Sequence, residues 1–148
     1  MAVVISRNDP AFDEALLDRA SVAFGVFDGV HEGHRFIIGE AVNTAREEGR
    51  ASAVITFDID PDEVFAADRL KKLMTNRARL SALADTGADW VLSIPFTRDF
   101  ASQAPDDFLQ LLFGRNTPAQ LHVGADFRFG ERARGSAAQM MEWGRPRG

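Results

Sequence analysis

The sequence predicts an α/β protein, a single open sandwich in which helices flank a largely parallel sheet. Three observations carry this. Apolar runs rich in β-branched and aromatic residues alternate with helically spaced patterns, the order that βαβ units produce. The 148 residues are the size of one domain, able to bury roughly two thirds of the unfolded surface around one core. No internal repeat, linker or low-complexity stretch divides the chain.

Each element can be justified in turn. "AVVIS" (2–6) and "SVAFGVF" (21–27) read as strands, with a short amphipathic helix, "PAFDEALLDRA" (10–20), between them. "FIIGEAVNTAREEG" (36–49) is a helix: Ile37, Ile38, Ala41, Val42 and Ala45 share one stripe, Glu40, Arg46, Glu47 and Glu48 lie off it, and Gly49 is placed to cap the end. "ASAVITF" (51–57) is a buried strand, "NRARLSALADTG" (76–87) a helix and "ADWVLSIPF" (88–96) the next strand. "PDDFLQLLFG" (105–114) opens with Pro-Asp-Asp and closes on glycine, a helix with both ends marked. "AQLHVGADF" (119–127) supplies a fifth strand.

Composition excludes several function classes. Hydrophobic residues make up 45% and charged residues 26%, and no stretch approaches the ~20 consecutive apolar residues of a membrane span. The N-terminal "MAVVISRNDP" lacks the basic flank and apolar core of a secretory signal, and there is no cysteine, so a cytoplasmic protein is expected. A net charge of -5 argues against nucleic acid as a partner, and nothing points to a membrane. Any polyanion must therefore be met by a local site.

"FGVFDGVHEGH" (24–34) is the candidate for that site. A strand runs into the turn and a helix follows almost at once, so free backbone N–H groups and the positive end of the helix dipole converge there. Gly25, Gly29 and Gly33 allow sharp turning and let a phosphate approach the backbone. The spacing is neither G-x-G-x-x-G nor G-x-x-x-x-G-K-[ST], so it is another class of phosphate site. His31 and His34, three apart at the helix start, would share a face and could donate to phosphate oxygens. From spacing alone three readings stay open: a phosphate site, favoured by the glycines and the strand end; a helix-start turn with no ligand; or a metal pair, whose third ligand would have to be His122 or a carboxylate.

"GVFDGVHEGH" resembles the G-x-F-D-G-x-H-x-G-H motif of the adenylyltransferase module of bacterial bifunctional riboflavin kinase/FAD synthetases. "VITFD" with "PDEVF", then "LMTNRARLSALADTGADWVLSIPFTRDFASQAPDDF", then "HVGADFRFGERARG" follow in the family's order, so the resemblance covers about residues 3–140. It implies a Rossmann-like open parallel sheet of the H-x-G-H nucleotidyltransferase superfamily. The implied reaction is FMN adenylyl transfer from ATP with Mg2+, giving FAD and pyrophosphate. It also implies that His31 and His34 hold the ATP phosphates while Gly25, Phe27, Asp28 and Gly33 shape the nucleotide site. Asp28 would assist catalysis, and the flavin would lie near Pro61, Phe65, Asp126, Phe127 and Phe129.

Read without the resemblance, Phe127 and Phe129 alternate at strand spacing like core residues, and Pro61 and Phe65 start and anchor a short helix. Arg128, Arg132 and Arg134 fit phosphate contact and a solvated loop equally well. There are two departures from the family pattern. Ile59 and Asp60 stand where the family has proline and histidine, and the chain stops before the family's I-S-S-T-x-I-R segment and the riboflavin kinase module. The expectation is one adenylyltransferase-like domain over 1–148, without kinase activity, acting alone, as an oligomer, or completed by another chain. The alternatives are a non-catalytic remnant that binds ATP or flavin, and a nucleotidyltransferase with another phosphorylated acceptor.

Overall fold

The computed structural model describes residues 2–30, 32–59, 75–124, 127–128 and 135–147. Five strands form one sheet: β1 (Val3–Ser6), β2 (Ser21–Phe24), β3 (Ser52–Phe57), β4 (Trp90–Ile94) and β5 (Gln120–His122). Their order is β1-β4-β3-β2-β5 and every pairing is parallel, as the alternating pattern requires. Helix α1 (Glu32–Glu48) crosses from β2 to β3, and α2 (Asn76–Ala84) precedes β4. Helix α3 (Pro105–Phe113) leads to β5, and α4 (Ala137–Gly144) follows it. Among the described residues no helix is long and apolar enough to cross a membrane.

Strands β2 and β3 are buried on both faces, which is why they read as continuous apolar runs rather than alternating ones. Their side chains divide between two core layers. Val22, Phe24, Ala53, Ile55 and Phe57 pack against Phe108, Leu109, Leu112 and Phe113 of α3 and Met140 of α4. Ala23 and Val54 face Ile38, Ala41, Val42 and Ala45 of α1 and Leu83 and Ala84 of α2. Small residues on β2 let α1 come close, and Ser21 Oγ donates to the Ala41 carbonyl at 2.7 Å.

Several boundaries depart from expectation. The helix expected over 10–20 forms only one 3-10 turn, Glu14–Leu17: Asp13 caps it by accepting from the Ala15 N–H, and Arg19 at φ 61 turns the chain away. Helix α1 begins at Glu32 rather than at 36, since its first turn is polar and carries no apolar stripe. Strand β2 ends at Phe24 instead of 27, because Phe27 takes a left-handed φ of 57 that no strand accommodates. Strand β5 covers 120–122 of the expected 119–127, of which 125 and 126 lie outside the described residues.

Candidate functional site

Strand β2 has β3 on one side and β5 on the other, so the chain's path reverses around it. In open α/β sheets, the crevice beyond the strand ends at such a reversal is where ligands bind. Gly25 to Val30 enter that crevice. Phe27, Gly29 and Val30 have φ of 57, 74 and 43, so a left-handed turn delivers the chain into α1. Non-glycine residues rarely accept this conformation, and burial enforces it here: Phe27 is 4% exposed and Val30 3%. The Val30 N–H donates to the Phe27 carbonyl at 3.1 Å and closes the turn.

The turn feeds a 17-residue helix whose first N–H groups have no intrahelical acceptor. Glu32 and Gly33 are exposed there, and His34 is half-buried with its ring edge-on to Phe27, centroids 5.4 Å apart at 74°. Phe27 therefore sits in the core beneath the turn and fixes one side of His34. Gly25 is buried, and a Cβ built on it would lie 3.1 Å from the Phe27 ring, so glycine at 25 makes room for that ring. Asp28 is half-buried in the same turn. His31 lies outside the described residues.

Of the expected flavin residues, Pro61, Phe65, Asp126 and Phe129 lie outside the described residues, as do Asp60, Arg132 and Arg134. Phe127 is described, and its ring packs edge-on against Phe24 at 4.9 Å, in agreement with the core reading of its strand spacing. Arg128 is exposed and hooks back to the Phe127 carbonyl at 3.0 Å. Asp58 of "TFD" is a strut, its Oδ1 accepting from the Phe96 N–H at 2.9 Å. Among the described residues no three His, Cys, Asp or Glu side chains are grouped to hold a metal ion.

Sequence reasoning missed two features. Arg79 is 1% exposed; the signal for it was its i, i+4 spacing from the buried Leu83, which puts a cation on the apolar face of α2. The second is a groove of about 650 Å³ along the outer edge of β5, lined by Phe36, Ile37, Glu40, Leu121, His122 and Met140 among others. In its wall, His122 Nε2 is buried with no hydrogen-bond partner among the described residues. Burial holds the His122 pKa below its ordinary 6.5, against the opposing pull of Glu40. The unfolded chain therefore takes up a proton first as pH falls, so this histidine subtracts stability from about pH 6.5 downward until its folded pKa is passed. In His122→Asn that part of the acid-side loss should vanish. Urea melts of both proteins at pH 7.5 and pH 5.5 check it, and an equal drop in the two would refute it.

A family model described as FAD synthetase matches residues 13–148. The chain belongs to the FAD synthetase family. It is 36% identical over 111 residues to the bifunctional riboflavin kinase/FMN adenylyltransferase of Escherichia coli K12, covering 74% of this chain and 36% of that protein. With the Bacillus subtilis 168 protein of the same name it shares 33% over 125 residues, 82% of this chain and 39% of that one. The chain thus spans well under half the length of these relatives. A solved structure described as a macrolide-efflux protein from Streptococcus pneumoniae superposes with a TM-score of 0.74 at 20% identity, covering 97% of this chain and 48% of the other. That likeness shows the fold alone. Within a FAD synthetase family member, the turn after β2 and the start of α1 are the stretch that carries H-x-G-H.

Proposed function

We propose that this chain is an FMN adenylyltransferase, transferring the AMP part of ATP to the phosphate of FMN to give FAD and pyrophosphate. The observation that carries the reading is the strand-turn-helix of residues 21–48. There a left-handed glycine-containing turn and the first-turn N–H groups of α1, which have no intrahelical acceptor, meet beside β5, in the same stretch as H-x-G-H. An FMN phosphate oxygen attacks the α-phosphorus in line, the bond from that phosphorus to the bridging oxygen breaks, and its electron pair leaves with pyrophosphate. No covalent nucleophile is needed, so the protein's task is to align two anions and offset the charge that develops on the leaving group.

The chain's own residues suit that task. The first-turn N–H groups and the helix dipole receive the phosphates, with Gly33 leaving the approach open. His31 and His34 donate hydrogen bonds to oxygens that become pyrophosphate, and the Phe27 edge limits how far the His34 ring swings. Magnesium fits as an ion that arrives on the phosphates of ATP, since such an ion takes only one or two protein carboxylates and Asp28 offers one within the turn. When bound, it offsets phosphate charge. The flavin site is assigned to Pro61, Phe65, Asp126, Phe127 and Phe129, and the Phe127 ring also packs edge-on against Phe24.

FAD formation from FMN, ATP and magnesium, followed by HPLC, tests this directly. The parent chain should make FAD, and His31→Ala and His34→Ala should each lower kcat by about 100-fold, the cost of removing one donor to a developing oxyanion. Equal rates in parent and variants would sink the assignment of the histidines. The alternative is a chain that binds ATP or flavin without turnover. ATP binding by calorimetry with no FAD formed would establish that alternative instead.

A further inference from the structure

Arg79 lies fully inside the protein, on α2, yet its guanidinium reaches across to the turn after β2. Its Nη1 donates to the Val26 carbonyl at 3.0 Å and to Thr56 Oγ1 at 2.7 Å. Its Nη2 donates to the Phe57 carbonyl at 2.6 Å and to Asn76 Oδ1 at 3.4 Å. The Thr56 hydroxyl, itself buried, donates in turn to the same Val26 carbonyl at 3.1 Å. One carbonyl at the entrance of the turn is thus held by two donors, one of them charged, and charge-assisted bonds are the stronger kind.

The position of this clamp matters. The register between β2 and β3 ends at Phe24 and Ile55, and one further backbone bond, from the Gly25 N–H to the Ile55 carbonyl, closes the ladder. Beyond it the two chains part, and Arg79 with Thr56 ties Val26 of one to Phe57 of the other. Immediately afterwards come Phe27, Gly29 and Val30 in left-handed conformations, two of them on residues that resist it. Strained backbone persists only where its surroundings over-determine it. A long, rotamer-rich cation buried at this point is a costly way to fill space, and its donors join the Val26 carbonyl of the turn to Thr56 and the Phe57 carbonyl at the end of β3.

We infer that Arg79 is a positioning residue for the nucleotide: it holds the turn of residues 25–30 in the left-handed form that presents Asp28 and the start of α1 to the phosphates. It acts through Val26 and touches no reacting atom. This rests on the reading of that turn as the ATP phosphate site, and it predicts effects on ATP that do not extend to FMN.

The test uses Arg79→Met, which keeps the apolar bulk and removes the donors, Arg79→Lys, which keeps a charged donor, and Thr56→Val, which removes the shared hydroxyl at nearly constant shape. Hydrogen exchange at the Val30 amide reports the closed turn, and the Val54 amide in β3 serves as the reference for global opening. In Arg79→Met and in Thr56→Val, Val30 protection should fall at least tenfold more than Val54 protection. KM for ATP should rise about tenfold with KM for FMN unchanged, and Arg79→Lys should recover part of both. Should Arg79→Met not fold, Thr56→Val carries the same comparison. Equal loss of protection at Val30 and Val54, or an unchanged KM for ATP in a variant whose turn has opened, would overturn the inference. If the parent chain neither binds ATP nor forms FAD, it is the functional reading that fails, and Val30 exchange still decides whether Arg79 holds the turn.

Discussion

Replacing Gly33 by alanine is expected to leave the fold intact, raise its stability slightly, and cut ATP-dependent turnover by one to two orders of magnitude. Gly33 lies in the first turn of α1 and is exposed, and a Cβ built there meets, among the described residues, no atom within 4 Å beyond its own helical turn. On the protein side the change is favourable, because alanine loses less backbone entropy than glycine in a helix, by about 0.5–1 kcal/mol. Any loss must then arise on the ligand side, where the added methyl stands in the approach to the first-turn N–H groups. Each charge-assisted bond to those groups contributes about 1.5–3 kcal/mol, so weakening one lowers kcat/KM by roughly 10- to 100-fold. Gly25→Ala is the instructive contrast: its methyl would press on the Phe27 ring at 3.1 Å, so fold and function would fall together. Thermal melts, ATP calorimetry and the FAD assay on the two variants separate these cases. A Gly33→Ala protein with unchanged ATP affinity would show that phosphates do not bind at the start of α1.

The parts of this site that could be read in the sequence are those governed by local chemistry. Apolar runs separated by helical stripes define a parallel sheet, and a strand running through glycines into a helix defines where an anion would bind. What could not be read depends on tertiary contacts. Phe27 and Val30 carry no turn signal; they are left-handed because both side chains are pulled into the core. The spacing of Arg79 from Leu83 puts it on the apolar face of α2, but which groups it binds is set only when Val26, Thr56 and Phe57 are brought around it. The 10–20 segment has an amphipathic pattern, yet only Glu14–Leu17 turns helically, since the Arg19 N–H is drawn to the Thr117 carbonyl at 2.8 Å, a partner nearly a hundred residues away. Phe127 shows the same limit from the other direction: its motif implies a flavin contact and its strand spacing a core contact, and only the fold shows its half-buried ring against Phe24.

Phe57→Ala should be the most damaging single truncation among the aromatic residues, because its ring joins elements from both ends of the chain. It is 3% exposed and meets Phe96 at 4.9 Å, Phe24 at 6.0 Å, Phe100 at 6.3 Å and Phe108 at 6.5 Å, each with rings inclined at 61° or more. Those partners lie on β2, on the stretch after β4, on the single turn Arg98–Ala101 and on α3, so one cavity would loosen four segments at once. Phe→Ala in a core costs about 3–5 kcal/mol, lost transfer energy plus the void left behind, against a total stability of about 5–15 kcal/mol. At about 3 °C per kcal/mol for a chain of this size, the melting temperature should fall by roughly 10–15 °C. Phe57→Leu, which refills most of the void, should recover at least half of that. The Phe57 carbonyl also anchors Arg79, but through the backbone, which the substitution leaves in place. The variant should therefore lose stability while the fraction that remains folded at low temperature keeps its KM for ATP. A melting temperature within 3 °C of the parent would mean the aromatic cluster is not the keystone of this core, and a raised KM would mean that its packing reaches the nucleotide turn after all.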